Sequence, residues 1–145
     1  MLNKLKEHIN QNFSFLEKSK LLLAISGGID SMVLVSLCLQ SKLDFALAHC
    51  NFQLRGTDSD GDEMLVKEIC QDRYIPYFIE TFDTLEFAKE NKLSIQLAAR
   101  KLRYDWFQEI ISLGFDYVLT AHHLDDNVET FLINFTRGTG LEGLT

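Results

Sequence analysis

Proline is almost missing from this chain, with Pro76 alone among 145 residues, and no low-complexity stretch or solenoid-length repeat breaks it up. Nothing reads as a linker, so a single domain is expected. Cysteine is sparse too. Cys38, Cys50 and Cys70 are odd in number, widely spaced and set in apolar or helical patterns, with no Cys-x-x-Cys among them. A disulfide framework and a zinc site are therefore both disfavoured, and buried thiols are expected. No apolar run approaches the ~18 residues of a membrane span, and Met1 to His8 lacks the apolar centre of a signal peptide. The expectation is a cytoplasmic protein with no membrane association. Positive charge is short, the balance being −7, which disfavours a generally basic nucleic-acid-binding domain. Any RNA contact should be local or supplied by other sequence.

What is present is enough apolar material, 46% of the residues, for a sizeable core. Apolar periodicity predicts helices over Leu2 to Asn12, Asp30 to Ser41, Ser59 to Tyr74, Thr84 to Asn91, Ser94 to Leu113 and Leu124 to Phe135. Strands are predicted over Leu21 to Ile25, Asp44 to His49, Tyr77 to Thr81 and Tyr117 to Ala121. On the long helix, Ile95, Ala98, Ala99, Leu102, Trp106, Ile110 and Leu113 should line one face, and Gly114 is a natural stop. Strands that alternate with helices and lack polar alternation indicate an α/β fold, a doubly wound parallel sheet covered on both faces. Ligands of such sheets bind beyond the carboxyl ends of the strands.

Three polar clusters fall at that rim. The first is Ser26-Gly27-Gly28-Ile29-Asp30-Ser31, between a buried strand and a helix. Two glycines let backbone N–H groups approach an anion, and the helix start adds free donors and partial positive charge. The Gly-Lys-Ser/Thr ending of the usual triphosphatase loop is absent. The hexapeptide resembles the SGGxDS pyrophosphate loop of the N-type ATP pyrophosphatases, which split ATP between its α and β phosphates.

The second cluster is His49-Cys50-Asn51-Phe52-Gln53-Leu54-Arg55-Gly56. Arg55 beside a glycine is either an anion clamp or a surface arginine. The acids that follow do not make an EF-hand, because the sixth position counted from Asp58 is Glu63 rather than glycine. Ser59 or Asp60 capping the next helix is the simpler reading. The third cluster is His122-His123-Leu124-Asp125-Asp126-Asn127-Val128-Glu129. On a helix, Asp126 and Glu129 would share a face, fit for Mg²⁺ or an ammonium group, though a helix start favours acids with no ligand at all. Adjacent His122 and His123 point different ways from a strand end, which suits contact with a nucleotide better than metal binding. Arg100, Arg103, Tyr104 and Phe107 recur at helical spacing, as a phosphate- or RNA-holding stripe or as a solvated helix edge. Gly138 to Gly143 spells GxGxxG but follows a predicted helix, so it fails the dinucleotide context.

Together, SGGIDS, HCNFQLRG, SIQLAARKLRYDWF and TAHHLDDNVETFLINFTRGTGLEGL resemble the tRNA(Ile)-lysidine synthetase family, in kind and in order, from about Leu21 to Leu144. The resemblance implies the adenine-nucleotide α-hydrolase-like fold of the PP-loop ATP pyrophosphatases. It further implies a catalytic domain over residues 1–145 that is a fragment lacking C-terminal tRNA-binding domains. The implied reaction adenylates the C2 oxygen of the wobble cytidine in a tRNA(Ile) with a CAU anticodon, then joins the ε-amine of L-lysine as AMP leaves. ATP and Mg²⁺ are the implied cofactors, and a homodimer is one assembly the resemblance allows. Carried over residue by residue, Ser26, Gly27, Gly28, Ile29, Asp30 and Ser31 hold phosphates, with Asp30 meeting Mg²⁺ or serving the adenylation step. His49, Asn51, Arg55 and His122 belong to the nucleotide side. Arg100 and Arg103 contact phosphate or the target nucleotide, and Asp126 and Glu129 hold the lysine ammonium. The rivals are a tRNA thiolase of the same superfamily, which would want Cys-x-x-Cys pairs, and a non-catalytic ATP-binding module, which would not need the acids.

Overall fold

The computed structural model describes residues 17–26, 29–125 and 128–137. Strand β1 (Lys20–Ala24) leads to helix α1 (Ile29–Gln40), β2 (Asp44–Asn51), α2 (Thr57–Arg73) and β3 (Tyr77–Thr81). Helices α3 (Thr84–Glu90) and α4 (Ile95–Ile111) follow, then β4 (Tyr117–Asp125) and β5 (Val128–Arg137). The sheet order is β3-β2-β1-β4-β5. The first four strands are parallel and β5 is antiparallel to β4.

Register sorts the side chains onto two faces. Leu23 lies level with Leu47 and Leu119, and all three enter the core formed with Leu34, Leu37 and Cys38 of α1 and Val66 and Cys70 of α2. One step back, Leu22 lies level with Ala46 and Val118, and these face Phe107 and Ile110 of α4. A strand so covered cannot alternate apolar with polar, which is why Leu21, Leu22 and Leu23 are all fully buried. The chain crosses from the α1/α2 face to the α4 face between β3 and β4, placing a topological switch between the adjacent strands β1 and β4. That junction is also fastened at its base. The Lys20 N–H donates to the Asp116 carboxylate at 2.8 Å, and the Asp116 N–H returns a bond to the Lys20 carbonyl at 2.8 Å.

Local signals account for the helix ends. Asp83 caps α3 by accepting from Glu86 N–H at 3.2 Å, and Ser94 caps α4 by accepting from Leu97 N–H at 3.2 Å. Gly114, at φ 118°, takes the turn into β4. Helix α2 differs from expectation. It starts at Thr57 with Gly56 at its N-cap and no side-chain cap, so neither Ser59 nor Asp60 serves there.

Two further expectations are corrected. The predicted helix over Leu124 to Phe135 is instead the end of β4 and the strand β5. Val128, Thr130, Phe131, Ile133, Phe135 and Thr136 are β-branched or aromatic, and that composition suits a pleated strand better than a helix. The apolar face of α4 is also narrower than its periodicity suggested. Ala98, Phe107 and Ile110 are buried, whereas Ile95, the first residue of α4, and Leu113, two residues past its end, are 46% and 64% exposed. The predicted helix Leu2 to Asn12 lies outside the described residues. Among the described residues no helix is long and apolar enough to cross a membrane. Truncating Leu23 to alanine should cost about 2–5 kcal/mol in denaturant melts, while Leu113→Ala should stay within about 0.5 kcal/mol of the parent.

Candidate functional site

At the carboxyl end of β1, on the α1 face, the chain turns from Ser26 towards α1. The Ser26 N–H donates to Ser31 Oγ at 3.0 Å, and the two hydroxyl oxygens are themselves 3.0 Å apart. Ser31 is buried in the first turns of α1, so the two ends of the hexapeptide are tied together. Gly27 and Gly28 lie outside the described residues; Ile29 and Asp30 open α1. Across from this turn, His49 on β2 is only 3% exposed, and its Nδ1 sits 2.7 Å from the Ile25 carbonyl oxygen. Its Nε2 is buried with no partner among the described residues.

Two residues on, Asn51 is 2% exposed and ties the rim together. Its amide donates to Asp60 Oδ1 at 3.1 Å and Glu63 Oε1 at 3.4 Å, and its Oδ1 accepts from Gln53 N–H at 3.0 Å. Both amide donors are thus engaged in building the loop between β2 and α2. Glu63 also accepts from Thr81 Oγ1 at 3.1 Å and from Lys67 at 3.4 Å. Desolvation pushes the Glu63 carboxyl up, but the bonds from Thr81, Asn51 and Lys67 outweigh it and hold the group below its ordinary value. Arg55, expected as an anion clamp, has its guanidinium paired with Asp62. That side chain is 63% exposed, so water screens the pair and little free energy would oppose its release to an incoming anion.

The α4 face of the same rim carries aromatics. Phe52 stacks on Phe82 with centroids 5.6 Å apart, and Phe82 meets Trp106 edge-on at 6.0 Å. Thr84 Oγ1 fastens this loop by donating to the Phe52 carbonyl at 2.8 Å. Arg103 of α4 places its guanidinium carbon 5.9 Å from the Phe52 ring centre, and its Nε is buried with no partner among the described residues. Burial pushes the nearby Cys50 thiol up to about 12 against the opposing pull of Arg103. Cys38 and Cys70 are likewise raised by burial, to about 12 and about 11. All three stay protonated near neutrality, so none is a ready nucleophile.

The structure therefore gathers Ser26, Ser31, His49, Asn51 and Arg103 at the carboxyl ends of β1 and β2. It leaves Arg100 exposed on α4, and it does not confirm Arg100, Arg103, Tyr104 and Phe107 as one solvent-facing stripe, because Phe107 is core. His122 falls within β4. Glu129 enters β5, and Asp126, its expected partner, lies outside the described residues. The stretch 138–143 also lies outside the described residues. Sequence reasoning missed the stack of Phe52, Phe82 and Trp106, whose members are too far apart in sequence to signal one another.

A twisted sheet with a Ser-tied strand-to-helix turn at its switch point defines a class of nucleotide-handling α/β domains. The chain belongs to the PP-loop domain family, which matches residues 1–145. It is 42% identical over 99% of its length to a tRNA(Ile)-lysidine synthase of Porphyromonas gingivalis. It is 45% identical over 96% of its length to the protein of that name from Bacteroides thetaiotaomicron, and 45% identical over 85% to that of Chlorobaculum tepidum. The chain spans about a third of the length of these curated relatives, 32% for the first two and 39% for the third. Among solved structures, the NH3-dependent NAD synthetase of Campylobacter jejuni superposes with TM-score 0.55 at 21% identity, over 81% of this chain and 51% of that one. The NMN synthetase of Francisella tularensis gives 0.57 at 14% identity, over 81% and 51%. Both likenesses concern the fold.

The Asn51 hub predicts two stability effects. Asn51→Leu removes the donor shared by Asp60 and Glu63 and should cost about 1–3 kcal/mol in urea melts. Because the Glu63 carboxyl is lowered on folding, its contribution is complete above the ordinary glutamate range and fades as pH falls through the lowered value. Unfolding free energies measured from pH 6 down to pH 3 should therefore decline less steeply in Glu63→Gln than in the parent.

Proposed function

We propose that this chain is the ATP-using catalytic domain of a cytoplasmic tRNA(Ile)-lysidine synthase. The observation that carries the reading is 42–45% identity, across almost the whole chain, to proteins of that name. The tied turn between Ser26 and Ser31 supports it, since a strand that ends there and a helix that starts there supply backbone donors for phosphate oxygens.

In the proposed first step, the C2 oxygen of the wobble cytidine of a CAU-bearing tRNA(Ile) attacks the α-phosphorus of ATP and pyrophosphate leaves. In the second, the deprotonated ε-amine of L-lysine attacks C2, the C2–oxygen bond breaks, and AMP departs with the oxygen. The carbonyl-type oxygen is a poor leaving group until adenylated, which is why the chemistry needs ATP. Residues Ser26 to Ser31 cradle the departing phosphates, and Arg55, released from Asp62, closes on them. Arg103, with its Phe52 backing and unpartnered Nε, is better placed to meet an anionic or nucleotide group than the exposed Arg100. Arg100 keeps a role in gripping the polynucleotide. His122 lines the nucleotide side, and Asp126 and Glu129 supply opposite charge for the lysine ammonium.

Mg²⁺ would neutralise phosphate charge when it arrives with ATP, and Asp30 is the residue proposed to meet it. Among the described residues no three His, Cys, Asp or Glu side chains gather to hold a metal. The raised thiols and the missing Cys-x-x-Cys pairs weigh against sulfur transfer.

The test follows pyrophosphate release from ATP by the full-length protein that carries this chain, given tRNA(Ile) with a CAU anticodon. Release should depend on that tRNA, and a lysine-bearing nucleoside should form with lysine and no other amino acid. Asp30→Asn should slow release by about 100-fold or more. Release with no lysine-bearing product would send the reading to another acceptor.

A further inference from the structure

We infer that His49 is a positioning residue for the phosphate loop, acting through Nδ1 on the carbonyl of Ile25. The inference rests on the ATP-using reading above, but its starting point is independent geometry. The last rung of the β1–β2 ladder is the bond from Ile25 N–H to the Ala48 carbonyl, at 2.9 Å. The carbonyl of Ile25 is the next backbone acceptor along the chain, immediately before Ser26. It is taken not by backbone but by the His49 ring, 2.7 Å away and buried. A carbonyl oxygen can only accept, so Nδ1 carries a proton, and in the neutral ring Nε2 is then a bare acceptor.

This bond fixes the direction in which the chain leaves β1. Beyond it come Ser26 and the Ser26–Ser31 tie, so the hexapeptide is held at its far end by Ser31 and at its stem by His49. Both anchors lie on one face. Phe45, Leu47 and His49 alternate along β2, and the first two enter the core shared with α1 and α2. The alternative, that His49 only fills space, leaves the ring unexplained. Its Nε2 is buried and unpartnered among the described residues, a cost an apolar side chain of similar size would not carry. What the imidazole offers that such a side chain lacks is the Nδ1 donor.

The two ring nitrogens can be separated by substitution, because an asparagine amide nitrogen falls near the place of Nδ1 and a glutamine amide near that of Nε2. In the full-length protein without ATP, amide hydrogen exchange across residues 26–31 should stay close to the parent in His49→Asn. In His49→Gln and His49→Ala it should quicken by about 10-fold, the ratio that corresponds to about 1.4 kcal/mol. The KM for ATP should rise in the same order, Asn least and Gln and Ala most, while the KM for lysine stays fixed. The inference is overturned if Gln protects the loop and Asn does not, which would make Nε2 the working atom, or if all three exchange alike. Should the parent release no pyrophosphate, the proposed function fails, yet the exchange comparison still decides the role of His49.

Discussion

Strand β1 is hydrogen-bonded along both edges and covered on both faces, and the other elements take their places from that confinement. Burying three consecutive leucines requires apolar layers above and below one strand, so helices must lie on both sides and the crossover must change sides somewhere. It changes after β3, which puts β4 rather than another α1-side strand against β1. At the carboxyl end of β1, beside this switch, the Ser26 N–H bonds to Ser31 Oγ as the chain turns into α1.

The rim divides its labour by face. On the α1/α2 side lie the Ser26 and Ser31 hydroxyls, the His49 ring on the Ile25 carbonyl and the Asn51 hub, a polar set held by neighbouring backbone and side chains. On the α4 side lie an aromatic stack and a guanidinium whose Nε has no partner among the described residues. A phosphate chain suits the first environment and a planar base or an isolated anion the second. Parity along β2 sets this division, since His49 and Asn51 alternate with Cys50 and Phe52.

Most of the architecture could be read from the residues because parallel strands buried on both faces leave an unmistakable trace, as in Leu21-Leu22-Leu23. The stretch after Leu124 could not. Its acids at i and i+3 and its scattered apolar positions fit a helix as well as a strand, and pairing with β4 decides between them. Ile95 and Leu113 misled for a different reason, since periodicity marks a helix face without saying which of its positions are covered. At the site, Asn51 was legible as a rim residue but not as a hub, because its partners Asp60 and Glu63 looked like ordinary solvated acids. Arg103 and Phe52 stood in separate motifs with nothing in sequence to join them.

The bond between Lys20 and Asp116 spans 96 residues of chain. A ribosome adding about 5–20 residues per second needs about 5–20 seconds to make the strand that completes the far edge of β1. Through that interval a strand carrying Leu21, Leu22 and Leu23 can pair with β2 on one side while its other edge presents unpaired amides and carbonyls. A strand whose three leucines are fully buried in the finished protein is thus an adhesive one in the nascent chain, and the acidic balance of −7 gives emerging copies a reason to keep apart.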